Sequence, residues 1–222
     1  MAAGLFERLK ADNAAVWDAY TRHDFVKGIQ SGKLPREAFE FYLKQDYLFL
    51  IQFARAYALA IFKADNMTEM RAGLNGVKAI LEIEMALHVA YCADWGIAEK
   101  DLETLEEAPE NVAYTRFVLE RGMAGDLLDL MVALSPCAIG YGEIGLALAE
   151  SRDTKIEGNP YLSWIEMYAG AEYQELVAGM TAEIDEIAVT RFTEPRFAGL
   201  SKTFGTATKL EADFWQMGLN AA

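Results

Sequence analysis

Ser135-Pro136-Cys137-Ala138-Ile139-Gly140-Tyr141-Gly142-Glu143-Ile144-Gly145 decides the fold, because it can be read in two ways. Its three glycines match G-x-G-x-x-G, the loop that cradles a dinucleotide when a strand precedes it and a βαβ unit surrounds it. Here the preceding residues contain Pro136 and continue an apolar helical period from Asp126, and no parallel strands follow. The stretch is therefore helix, and the nucleotide reading fails. A proline inside a helix deletes one backbone hydrogen bond and bends the axis, at a cost of about 3 kcal/mol. Directly after that weak point sits Cys137, and Tyr141 follows one helical turn on. A thiol beside a helix distortion, with an aromatic on the same face, has the character of a site.

Working outward, the chain has five prolines and no alternating β-branched runs, so helices are expected throughout. Leu5, Leu9, Val16 and Trp17 suggest a first helix that ends in the polar segment Thr21-Arg22-His23-Asp24. Leu34-Pro35-Arg36-Glu37 opens the longest helix, with proline in its first turn. That helix is expected to run to about Ala64, with Phe41, Leu43, Tyr47, Leu50, Phe53, Tyr57 and Ile61 in a wide apolar stripe. Further helices are expected over 67–95 (closed by Gly96), 111–123, from an Asp126 cap through Cys137, and over 161–168, 172–187 and 195–218. The clearest loop is Lys155-Ile156-Glu157-Gly158-Asn159-Pro160. No linker or repeat divides residues 1–222, so a single all-α domain of seven or eight helices is expected.

Composition narrows the function. Hydrophobic residues make up 53% of 222, enough for a sizeable core, and the net charge is −14. Such a surface repels phosphate backbones, which argues against nucleic-acid binding. The N-terminus lacks a basic region followed by an apolar one, and apolar runs are interrupted by charges such as Asp46 and Arg55. Cys92 and Cys137 do not make a disulfide framework. The expectation is a soluble cytoplasmic protein.

Three side chains carry chemistry. Asp46 falls between Leu43, Leu50 and Phe53 on the apolar stripe, where a carboxylate must be paired, protonated or functional. An interhelical hydrogen bond is the plain alternative. Glu211 shares a stripe with Phe204, Ala207, Phe214 and Trp215, a setting that raises a carboxyl pKa toward neutrality unless its head reaches water. Cys137 needs a base or charge to act as nucleophile, and neither His23 nor His88 is near it in sequence, so partners must come from other helices. Cys92 reads as a small buried hydrophobe. Glu84, His88 and Cys92 lie four apart on one face, like a metal ladder, but a di-iron bundle needs two Glu-x-x-His motifs and this chain has two histidines in all. A satisfied core histidine is the better reading, and no metal is expected. Ten tyrosines, each wanting a hydroxyl partner if buried, would suit a cavity for a flat heteroaromatic ligand.

Taken together, Phe41-Tyr42-Leu43-Lys44-Gln45-Asp46-Tyr47, Val112-Ala113-Tyr114-Thr115, Ser135-Pro136-Cys137 through Gly145, Trp164-Ile165-Glu166-Met167-Tyr168 and Leu210-Glu211-Ala212-Asp213-Phe214-Trp215 resemble the TenA/thiaminase II family, nearly end to end. The resemblance implies a heme-oxygenase-like helical fold with a central pocket, a homotetramer, and cofactor-free hydrolysis in thiamin salvage. The implied substrates are 4-amino-5-aminomethyl-2-methylpyrimidine and thiamin. It implies Cys137 as nucleophile, Glu211 as acid/base and Asp46 as the carboxylate binding the aminopyrimidine edge. Phe49, Tyr114, Tyr141, Tyr168 and Phe214 are the implied pocket aromatics. Phe49 stands where many members have tyrosine, and Ala138, Ile139 and Gly140 replace larger aromatics, so a roomier pocket is expected. A non-catalytic pyrimidine-binding protein and a metal oxygenase of the same fold are the alternatives.

Overall fold

The computed structural model describes residues 4–102 and 104–222. Among them every regular element is helical. The N-terminal third holds α1 (Leu5–Asp12), α2 (Ala14–Thr21), α3 (Asp24–Ser31) and the long α4 (Arg36–Lys63). Then come α5 (Met67–Lys78), a π-helical turn over Ala79–Glu84, α6 (Met85–Asp94) and the short α7 (Glu99–Leu102). The C-terminal half holds α8 (Pro109–Ala124), α9 (Leu127–Glu150), α10 (Leu162–Ala169), α11 (Ala171–Arg191), a 3-10 turn over Glu194–Arg196 and α12 (Phe197–Asn220).

There are more segments than the seven or eight expected, for local reasons. The first expected helix breaks at Asn13, whose side-chain amide donates to the Leu9 carbonyl at 2.9 Å and to Ser201 Oγ at 2.9 Å. The polar segment at Thr21–Asp24 is only a cap: His23 Nδ1 accepts the Phe25 N–H at 3.3 Å and starts α3. That helix buries Phe25, Val26 and Ile29 and ends at Gly32, where φ is +67°. The expected helix over 67–95 is one continuous rod interrupted by the π turn.

α9 is the hub, packed by α8, α10, α11 and α12, with α4 alongside. Asp126 and Asp129 form a reciprocal capping box at its start, and Arg196 bonds to both carboxylates. By length and hydropathy α9 could cross a membrane, yet 78% of that window is buried, as a core helix should be. Gln45 ties α4 to the start of α8: its amide donates to the Glu106 carbonyl at 3.0 Å and its carbonyl accepts the Ala108 N–H at 2.9 Å. Rings from α3, α4, α10 and α12 fill the centre, with Phe25 and Trp215 stacked at 4.9 Å.

Candidate active site

Pro136 deprives the Val132 carbonyl of its helical donor, and the Ser135 hydroxyl donates to that oxygen instead, at 3.0 Å. The Tyr20 hydroxyl donates to the Pro136 carbonyl at 3.4 Å. The distortion is thus satisfied, and α9 runs on unbroken past Cys137. Gly140, Gly142 and Gly145 serve packing. A Cβ at Gly140 would run into the Tyr20 ring, one at Gly142 would meet Val177, and one at Gly145 would lie 2.6 Å from the Tyr168 backbone carbon. The expectation that Gly140 enlarges the pocket is therefore corrected; of the small residues after Cys137, it is Ala138 that lines the cavity.

That cavity encloses about 520 Å³ between α4, the π turn, α6, α9, α10 and α11. Asp46 and Phe49 reach it from α4, Cys137 and Tyr141 from α9, and Tyr168 from α10. Glu211, Tyr114 and Phe214 stand behind the wall. Glu211 is 2% exposed, hydrogen-bonded to the Cys137 thiol, and accepts the Tyr114 hydroxyl at 2.6 Å. Phe214 packs on Phe49 at 5.6 Å, and Tyr114 on Phe49 at 5.2 Å. All eight candidates are thus brought to one place from five helices, five of them on the wall and three in support.

Electrostatics there are set by burial without compensating cations. Among the described residues no lysine or arginine lines the cavity, while Asp46, Glu84, Asp94 and Glu172 do. Burial pushes Glu211 up from 4.5 to about 8, against the hydrogen bond from Tyr114. It pushes Asp46 from 3.8 to about 7. Glu84 rises to about 7 through burial and the charge of Asp46. The Cys137 thiol is held well above its ordinary range, first by burial and then by Glu211 and Asp46. The site therefore keeps a thiol, and a thiolate can form only as its proton leaves to an acceptor in contact. The carboxyl in contact with it is Glu211.

Among the residues that the structure puts on the wall, the sequence reading gave no site role to Tyr42, Trp164, Glu84 and His88. Tyr42 accepts the Trp164 indole N–H at 3.3 Å, and its hydroxyl also bonds to Tyr141 and Tyr168. Glu84 ends the π turn, and His88 follows one turn later on α6. Spacing had flagged both as a ladder with Cys92. Cys92 instead lies off the cavity, buried and pushed up to about 12. His88 Nε2 bonds to the Leu43 carbonyl at 2.7 Å, and Nδ1 faces Asp46 Oδ2 at 3.4 Å. Among the described residues, no three His, Cys, Asp or Glu side chains are grouped to hold a metal ion.

A helical bundle enclosing an aromatic cavity, with a thiol on its wall and a buried carboxyl in contact with it from behind, defines a small-molecule site. The sequence model of the TENA/THI-4/PQQC family matches residues 11–221, and the chain belongs to that family. It is 36% identical over 226 residues to an aminopyrimidine aminohydrolase of Halalkalibacterium halodurans, covering 99% of this chain and 95% of the relative. A second aminopyrimidine aminohydrolase, from Helicobacter pylori, is 30% identical, covering 91% and 93%. A crystal structure from a Silicibacter species, described as a TenA family transcription regulator, superposes with a TM-score of 0.92 at 45% identity, over 97% of this chain and 96% of that one.

Proposed function

We propose that the protein is an aminopyrimidine aminohydrolase of thiamin salvage, cleaving the C–N bond at the pyrimidine methylene of 4-amino-5-aminomethyl-2-methylpyrimidine. The observation that carries this reading is the contact of the Cys137 thiol, on the cavity that Asp46 also lines, with the buried Glu211 carboxyl behind it. Full-length similarity to two aminopyrimidine aminohydrolases supports it.

In this reading the exocyclic amine and adjacent ring nitrogen sit on Asp46, and the ring lies among Phe49, Tyr141 and Tyr168. Protonation of that nitrogen draws electrons from the ring. The ionised form of Glu211, the minority form below about pH 8, takes the Cys137 proton as sulfur bonds the ring carbon next to the one bearing the methylene group. The electron pair then expels the 5-methylene substituent, which takes the proton from Glu211 and leaves as ammonia. Water adds to the exposed methylene carbon, giving its proton to Glu211, and the C–S bond breaks to release the 5-hydroxymethyl product. A carboxyl with a pKa of about 8 suits both directions of transfer near neutrality. Tyr114 holds Glu211, and Phe214 backs Phe49.

The same reading gives a homotetramer in a reducing, cytoplasmic setting, where Cys137 and Cys92 stay free. Exposed apolar side chains gather around the α4–α5 turn: Phe62 at 81%, Met67 at 60% and, on α11, Val189 at 82%. Arg191 pins α11 to that turn through Asp65 and Glu69. Light scattering at a fixed protein concentration checks the assembly.

Incubation of the protein with the aminomethyl pyrimidine and, separately, with thiamin tests the activity. Ammonia and the 5-hydroxymethyl pyrimidine are expected from the first. Tight binding of both compounds with no product from either would make it a pyrimidine-binding protein instead.

A further inference from the structure

His88 has no part in the chemistry above, yet its contacts fix how Asp46 is presented. Its Nε2 is 2.7 Å from the Leu43 carbonyl, which can only accept, so Nε2 carries a hydrogen. Nδ1 faces Asp46 Oδ2 at 3.4 Å. In a neutral imidazole Nδ1 is then an acceptor, and a second acceptor facing it in a buried site calls for a proton between them. Asp46 is 8% exposed, and Oδ2 is the oxygen that faces Nδ1.

We propose that His88 is a positioning residue for Asp46: Nδ1 holds one proton against Oδ2 and leaves Oδ1 to accept the exocyclic amine of a bound heteroaromatic base. The groups facing the pair are Tyr42 on α4, Glu84 on the π turn, Cys92 on α6, Cys137 and Tyr141 on α9, Tyr168 on α10 and Glu211 on α12. Lys44 acts electrostatically on Cys92. Every group on the cavity side is an acid, so nothing compensates a bare carboxylate, and the proton stays with the pair on Oδ2. Burial acts the same way on both partners, lowering the proton affinity of His88 and raising that of Asp46. When the ligand's ring nitrogen meets Oδ2, the O–H bond breaks and an N–H bond forms. A cationic ring then lies on an anionic Asp46, its N–H donating to Oδ2 in place of the hydrogen bond that Nδ1 gives up, with His88 still neutral. This second step rests on the pyrimidine reading; the proton in the empty site does not.

Nitrogen NMR of the ligand-free protein labelled with 15N-histidine tests the first part. There are only two histidines, so His23→Gln and His88→Phe assign both. The expected result is a neutral His88, protonated at Nε2 and hydrogen-bonded at Nδ1, through the ordinary histidine range around about pH 6.5. Asp46→Ala should move the Nδ1 resonance. Protonation at Nδ1, whether as tautomer or imidazolium, or an Nδ1 resonance indifferent to Asp46→Ala, overturns the proposal. For the second part, His88→Phe should weaken 4-amino-2-methylpyrimidine by roughly tenfold, about 1.4 kcal/mol. It should barely change the analogue with carbon in place of that ring nitrogen. Equal losses for both ligands would reduce His88 to a packing residue and overturn it. If the wild-type protein binds neither compound, the pyrimidine reading fails while the NMR result stands.

Discussion

Glu211→Gln should abolish turnover and at the same time stabilise the protein at neutral pH, by an amount that grows with pH. The wild-type carboxyl is held at about 8 against 4.5 for an ordinary glutamate. Between those values the folded state binds a proton that the unfolded state has lost, so stability falls as pH rises, by about 1.4 kcal/mol per pH unit for one such group. From about pH 5 to about pH 7.5 the loss assigned to Glu211 is roughly 3 kcal/mol. Glutamine keeps an oxygen to accept the Tyr114 hydroxyl but has no proton to lose. Asp46 and Glu84, both raised to about 7, add slope of the same sign to both proteins. Urea unfolding of wild type and variant across that range should therefore give curves that meet at the acid end and diverge toward neutrality, with the variant the more stable. Parallel curves would refute the buried, high-pKa assignment of Glu211 and with it the proton shuttle.

Tyr114→Phe removes a hydrogen bond that favours the Glu211 carboxylate, a loss of about 1.5–3 kcal/mol for a charged partner, or roughly one to two pKa units. The acidic limb of the kcat/KM profile, set by the ionisation that lets Glu211 take the Cys137 proton, should move up accordingly. Gly145→Ala should cost about 1–3 kcal/mol in chemical denaturation, because its Cβ meets the Tyr168 backbone rather than a movable side chain. Phosphate esters of the aminopyrimidine should bind at least about tenfold more weakly than the unphosphorylated compound in calorimetry, since among the described residues the lining has four carboxylic side chains and no lysine or arginine to meet a phosphate.

The fold class was legible because period and proline position speak locally: Pro35 opens α4, Asp126 caps α9, and the glycine motif has no strand before it. Asp46, Cys137 and Glu211 stood out because each is a reactive side chain on an apolar helical stripe, and long-range packing then brings them to one cavity. α3 was missed, since its eight residues follow a polar cap that reads as a loop. The roles of Glu84 and His88 were hidden by the π turn, whose wider pitch shifts every later residue off the face that a 3.6-residue period predicts. The glycines after Cys137 could be read as space or as helix contacts, and only the positions of Tyr20, Val177 and Tyr168 decide between them.

The central claim is that Cys137 attacks the ring with Glu211 managing its proton. Single-turnover hydrolysis of 4-amino-5-aminomethyl-2-methylpyrimidine by wild type and Cys137→Ser, paired with the affinity of each for the unreactive 4-amino-2-methylpyrimidine, tests it directly. Unchanged affinity with a rate reduced by at least about a thousandfold, on the order of 4 kcal/mol in the barrier, is the predicted result. A serine variant that hydrolyses the compound within about tenfold of wild type would contradict it.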